Sequence, residues 1–299
     1  MNLKASDPEL VATDTSTLLA ATPMLDHRSP SLRALSAARG WIELRPRERI
    51  GAIYTFVRDE IPFGYNVSDN LPASAVLADG IGQCNTKGTL LMALLRGNGI
   101  PCRLHGFTID KRLQKGAVRG LAYWLAPRSI LHSWVEVWCE DRWINLEGFI
   151  LDKAYLGALQ QRFIGHRGAF CGYGVATPDL QHPAVDWNGD DTYIQKDGIN
   201  RDFGVFESPD AFYAQHGVNL NGARRWLFER VVRQWMNRNI ATIRRAVSEH
   251  VDAWIADIGA SLLVVGNGLR LLRARGRDRR DPSIPDHRQY RLSRSPPRN

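Results

Sequence analysis

GIGQCNTKGTLLMALLRGNGIPCRLH, residues 80–105, decides the fold. A turn bearing Gly80 and Gly82 leads into Cys84. From Cys84 to Arg96 the chain is apolar over most of a helical circumference, through Leu90, Leu91, Ala93, Leu94 and Leu95. That pattern predicts a central, buried helix. Gly97-Asn98-Gly99 ends it, and IPCRLHGFTI then alternates as a strand. A cysteine opening such a helix is either a small packing residue or a nucleophile. The unpaired N–H groups and the dipole of a helix N-terminus favour a thiolate there. The rest of the chain must supply a base and an acid to serve it.

LHSWVEVWCEDRWINLEG, residues 131–148, reads as two strands around a Glu140-Asp141 turn. His132, Trp134, Glu136 and Trp138 share one face of the first strand. Antiparallel pairing around that turn sets His132 opposite Phe149, with Glu147 a diagonal neighbour about 7–8 Å away between α-carbons. A carboxylate there accepts the imidazole N–H and fixes its tautomer. Cys84, His132 and Glu147 are therefore the catalytic candidates. Gln83 either donates to an oxyanion or caps the helix. With Asn85, Tyr65 and Trp134 it completes the set of oxyanion or cleft candidates, Tyr65 and Trp134 reading as lining of the cleft or the core.

The 299 residues, 44% apolar, suffice for one or two domains with a real core. Residues 8–27 read as helical, and a second helix starts at Ser29-Pro30. RPRERIGAIYTFVRDEI forms a third, with Ile50, Ile53, Tyr54 and Val57 on one face. PFGYNVSDNLPASAVLADGIGQ reads as loop and KRLQKGAVRG as a polar connection. The segments are then 1–44, helical; 45–155, the catalytic core; 156–216, loop-rich and covering the core; 217–270, basic and helical; and 271–299, an Arg-rich tail expected to be disordered. No signal-peptide pattern opens the sequence, and no apolar run reaches the ~20 residues of a membrane span. A soluble, cytoplasmic protein is expected. Four scattered cysteines do not make a disulfide scaffold, and Cys102, Cys139 and Cys171 read as structural. HRGAFCGYG lacks zinc-ligand spacing and a phosphate-loop lysine. DWNGDDTYIQKD puts Asp186, Asn188 and Asp190 at calcium-loop spacing, but its glycine is misplaced and Asp197 stands where a Glu is needed. No metal or cofactor is expected.

The net charge is +8, yet from Gly222 onward seventeen Arg face seven acidic residues, so the remainder is close to neutral. On RRWLFERVVRQWMNRNIATIRRA, Trp226, Leu227, Val231, Trp235 and Ile240 form an apolar side with the arginines outside. Such a helix packs on the core with a solvated basic face, or touches an anionic membrane or RNA. No base-reading motif accompanies it, so no specific nucleic-acid recognition is expected.

Four separated motifs occur in order: GQC opening a Leu-rich helix, LLRGNGIPCRL, HSWVEVW at His132–Trp138, and RWINLEG at Arg142–Gly148, with YTFVRDEIPFGY upstream. Over about residues 45–155 the chain resembles the transglutaminase-like superfamily. The resemblance implies an α+β fold: a papain-like transglutaminase-type core, its nucleophile helix packed on an antiparallel sheet, with additional C-terminal helices. It implies Cys84 as nucleophile, His132 as general base and acid, and Glu147 as the orienting third member. The implied activity is cysteine-dependent acyl transfer at an amide or ester carbonyl of a peptide, protein or small amide, as peptidase, amidase or acyltransferase, with no cofactor. Two positions depart from the family. Its third member is usually Asp, for which Asp152 is a nearby substitute, and animal transglutaminases carry Trp where Asn85 stands. Fold does not fix function, so a catalytically silent scaffold that binds a protein or peptide is the alternative, and an adaptor working through the basic end is another.

Overall fold

The computed structural model describes residues 16–118, 120, 123, 127–219 and 226–245. Four helices come first: α1 (Pro30–Arg39), α2 (Pro46–Thr55), α3 (Ala73–Asp79) and α4 (Cys84–Gly97). Strands β1 (Cys102–Asp110), β2 (Ser129–Cys139) and β3 (Arg142–Leu146) follow, then α5 (Lys153–Arg162) and the short pair β4 (Phe170–Gly172) and β5 (Val175–Thr177). Strand β6 (Ile199–Phe206), α6 (Pro209–His216) and a helix over 226–245, α7, complete the described chain. The main sheet is antiparallel with order β3-β2-β1-β6.

Helix α4 touches α1, α2 and α3 as well as β1 and β2, and every side chain from Asn85 to Arg96 is buried. Each fully buried leucine there contributes about 1.5–3 kcal/mol of hydrophobic stabilisation. Its two buried cations are paired with backbone oxygens, as buried charge requires. Lys87 donates to the carbonyls of Arg58 (3.1 Å) and Ile150 (3.0 Å). Arg96 donates to those of Ala20 (2.8 Å), Cys102 (2.9 Å) and Glu207.

The β2–β3 register runs from Val135 opposite Leu146 to Cys139 opposite Arg142, around Glu140 and Asp141. Both turn residues have positive φ (52° and 58°), the conformation that matches the twist of a two-residue hairpin. Pairing stops at Leu146. Glu147 continues instead along Thr192, its N–H donating to the Thr192 carbonyl at 3.0 Å.

Several expectations change. Within 8–27, the described part holds a single 3-10 turn at Thr17–Leu19; Arg96 binds the carbonyl of its first residue, Thr17, and that of Ala20 just after it. The stretch read as a loop before Cys84 contains α3, whose apolar Ala73 and Val76 are buried. The 156–216 segment is more than cover, because it supplies the edge strand β6 of the main sheet. On α7, Trp226, Leu227, Val231 and Trp235 are exposed and the buried residues are Met236, Ile240 and Ile243. The expected residues do not share a face at 3.6 residues per turn: Trp226 and Trp235 fall about 180° apart and Trp235 and Ile240 about 140° apart. The inner face is instead Phe228, Val232, Met236 and Ile240, four residues apart and running across a π turn at Phe228–Val232. The N-terminal part of the first segment, the end of the 217–270 segment and the 271–299 tail lie outside the described residues. Among the described residues no helix is long and apolar enough to cross a membrane.

Candidate active site

Cys84 is the first residue of α4, half-buried. The turn before it is held from several sides. The Gln83 N–H donates to the Thr86 hydroxyl (3.1 Å), and that hydroxyl donates to Asn66 Oδ1 (2.6 Å). The Asn66 N–H in turn donates to Gln83 Oε1 (2.9 Å). A Cβ on Gly82 would come within 2.7 Å of the Lys87 side chain, so the approach to the cysteine requires glycine there.

His132, on β2, is fully buried, and so is Glu147. The His132 Nε2 atom meets Glu147 Oε1 at 2.8 Å. The other carboxylate oxygen, Oε2, accepts the N–H groups of Ile194 and Gln195, both at 2.9 Å. The Glu147 carboxyl is thus fixed by one imidazole and two backbone amides. On the far side of the ring, Nδ1 is buried with no hydrogen-bond partner among the described residues. Burial by itself lowers the His132 pKa. The adjacent Cys84, and then Glu147, outweigh that and push it up to about 10.

Asn85 ties the cysteine helix to the histidine strand. Its Nδ2 donates to the Leu131 carbonyl (3.1 Å) and its Oδ1 accepts from the Ser133 hydroxyl (3.0 Å), one bond on each side of His132. The Asn85 Oδ1 atom and one of its two Nδ2 hydrogens are thus engaged by strand β2. Gln83 gives one N–H to Asp69 Oδ1 (3.0 Å), and its amide carries a second hydrogen. Asp152 is not at the imidazole. It caps α5 by accepting from the Tyr155 N–H (2.9 Å) and pairs with Arg244 (2.7 Å).

A cavity of about 170 Å³ opens beside Cys84. Gln83, Cys84 and Asn85 line one part of it, and Tyr65 and Asp69 another. The rest is largely apolar: Ile109, Leu113, Ile130 and Leu131 from the sheet side, with Phe228, Val232 and Met236 from α7. Tyr65 is buried against the site, and that burial, then Cys84 and Asp69, raises its phenol pKa. Of cleft and core, Trp134 takes the core and does not line the cavity. It packs instead among Phe107 (4.1 Å between ring centres), His105 (5.3 Å) and Tyr193 (5.6 Å). Strand alternation assigned its face correctly but not what that face meets.

The contributions of Ile194, Gln195 and α7 carry no local signal in the sequence. They are backbone amides and apolar side chains brought in from far along the chain. The spacing of Phe228, Val232, Met236 and Ile240 is the one trace that could have pointed to α7.

Residues 38–148 match the family model of the transglutaminase-like superfamily, a stretch that contains Cys84, His132 and Glu147. The resemblance drawn from the motifs is thus found over the same part of the chain. No match to a curated protein reaches significance. Among solved structures, one named "a Putative Cysteine Protease from Cytophaga hutchinsonii" is similar at 14% identity and a TM-score of 0.39, over 70% of this chain and 52% of that one. Red sea bream transglutaminase is similar at 18% identity and a TM-score of 0.26, over 44% of this chain and 25% of that one. The chain thus spans about half the length of the first and a quarter of the second, and neither likeness is close enough to bear on the chemistry.

Proposed function

We propose that the protein is a cysteine-dependent acyl-transfer enzyme acting at an amide or ester carbonyl. The observation that carries this reading is the state of His132. One ring nitrogen is bound to a buried, fully held carboxylate, and the other is buried without a partner beside Cys84. A histidine with a merely structural role would have both nitrogens satisfied. In this reading the Cys84 sulfur attacks the carbonyl carbon, and the first amides of α4 receive the oxyanion. His132 passes its proton to the leaving nitrogen or oxygen as the C–N or C–O bond breaks. Water then attacks the thioester, with His132 as base, and releases a carboxylic acid; an amine in its place gives an amide. Hydrolysis is the default outcome, because water is always at hand.

The test is alkylation of the full chain by iodoacetamide at pH 6–7, mapped by peptide mass spectrometry. Cys171, exposed on β4, serves as the internal reference. The expected result is that Cys84 reacts at least tenfold faster than Cys171 and that His132→Ala abolishes the advantage. Equal rates at the two cysteines in the wild-type protein would overturn the reading.

A further inference from the structure

The geometry points to the substrate: a peptide-like acyl donor with a compact apolar side chain next to the reacting carbonyl, the side chain seated in the cavity and its N–H received by Gln195. This deepens the acyl-transfer reading above and rests on it. Three observations support it.

The first is size. An apolar cavity of roughly 150 Å³ holds one benzene molecule and otherwise stays dry. The cavity beside Cys84, at about 170 Å³, therefore suits one aromatic or branched aliphatic side chain.

The second is charge. Among the described lining residues Asp69 alone is charged, and its oxygens already accept from Gln83 Nε2 (3.0 Å) and Asn219 Nδ2 (2.7 Å). No cation lines the cavity among the described residues. An acidic acyl group would be buried there unpaired, which is costly.

The third is Gln195. It lines the cavity and is 3% exposed. Its Nε2 donates to the Gly174 carbonyl at 2.6 Å, which fixes the amide orientation. Its Oε1 is buried and has no hydrogen-bond partner among the described residues. Buried acceptors are ordinarily satisfied. A substrate N–H would satisfy this one, and a site built around such an acceptor discriminates against analogues that lack the donor.

The experiment measures acylation of the full chain by p-nitrophenyl esters. The Cys84 sulfur bonds to the acyl carbon, the ester C–O bond breaks, and p-nitrophenolate departs with the electron pair. The phenolate is read by absorbance and the thioester by the mass of the Cys84 peptide. The acyl groups are N-acetylphenylalanyl, 3-phenylpropionyl, acetyl and succinyl. The expected order of second-order rate constants is N-acetylphenylalanyl over 3-phenylpropionyl over acetyl, with succinyl slowest. Each of the first two steps should be about tenfold, the second being no more than burial of two or three methylenes supplies. Saturating benzene should slow the two phenyl-bearing esters and leave acetyl unchanged, a readout that needs no variant. Gln195→Met should remove the advantage of N-acetylphenylalanyl over 3-phenylpropionyl. Val232→Trp, which fills the cavity, should lower the ratio of 3-phenylpropionyl to acetyl. If acetyl or succinyl acylates Cys84 as fast as N-acetylphenylalanyl, the substrate assignment fails while Cys84 stands as nucleophile. If N-acetylphenylalanyl and 3-phenylpropionyl react alike in the wild type, the role of Gln195 fails. If no ester acylates Cys84, the acyl-transfer reading itself falls.

Discussion

At His132 two opposing effects act on one imidazole. Burial disfavours the cation, and the neighbouring Cys84 and Glu147 favour it more strongly, so the proton is held up to about pH 10. A general acid must carry its proton, so activity should persist through neutral pH and fall as the pH rises through about 10. Glu147→Gln removes part of what raises that value. Its alkaline limb should move down by about one to three pH units, the usual effect of one close opposite charge. The pH profile of acylation by an anilide, whose leaving nitrogen must take a proton, measures this, and an unmoved limb would remove Glu147 from the mechanism. Lys87 shows the reverse case. Burial lowers its pKa from the ordinary lysine value to about 7. Between pH 7 and the unfolded value near 10.4 the unfolded chain binds a proton that the folded chain does not, so stability rises with pH across that window. Lys87→Met should flatten this dependence in urea melts between pH 7 and 10 and gain most, relative to the wild type, at the lower end.

Among the elements, the pairing of α4 with β2 matters most, because it brings a helix-borne cysteine to a strand-borne histidine. Asn85 makes that junction through two hydrogen bonds. Asn85→Ala should cost about 1–3 kcal/mol for the acceptor and donor left unpaired, read as a shift in the denaturation midpoint. It should also lower the alkylation advantage of Cys84, which a purely local loss of stability would leave alone. Helix α4 and the hairpin were legible because their signals are local: a leucine-rich helical run, and alternation across a two-residue turn. Strand β6 was not. It is an edge strand, exposed at Asp202 and broken by Gly204, which has positive φ. Its Asn200-Arg201-Asp202 run is polar, as edge strands often are, and two register shifts against β1 break the alternation that would reveal it. The α7 face was misread for a different reason: its tryptophans are the most apolar-looking residues but sit outside the i, i+4 row of Phe228, Val232, Met236 and Ile240.

Across the whole molecule, the site needs more than the family-matched stretch of 38–148. Glu147 is held from 194–195, the sheet is completed by 199–206, and the cavity is roofed by α7. The roof is fastened by side chains. The Asn237 amide bonds both the N–H (2.7 Å) and the carbonyl (3.0 Å) of Tyr65, and Arg244 pairs with Asp152. Burial works against the Asp152 carboxylate, but Arg244 and the Phe63 and Tyr155 amides prevail and hold its pKa below the usual range. That stabilisation is present above about pH 4 and is lost as the pH falls through the lowered value. Arg244→Met should therefore cost about 2 kcal/mol at pH 7. Its difference from the wild type should shrink towards pH 2, and hydrogen exchange over 226–245 should speed up at neutral pH. A constant difference across that range would show that Arg244 acts through packing alone.

The hold on Glu147 differs in kind from the others, because two of its three partners are peptide groups. Almost any side chain can stand at 194 or 195 and still present the same N–H. The hold on the acid therefore makes no demand on either side chain; Ile194 answers to the core around it and Gln195 to the cavity it lines. One residue is excluded, since proline has no N–H to offer. The geometry of this carboxylate is therefore inherited as a path of the chain, and its weak point is a single kind of substitution at two consecutive positions.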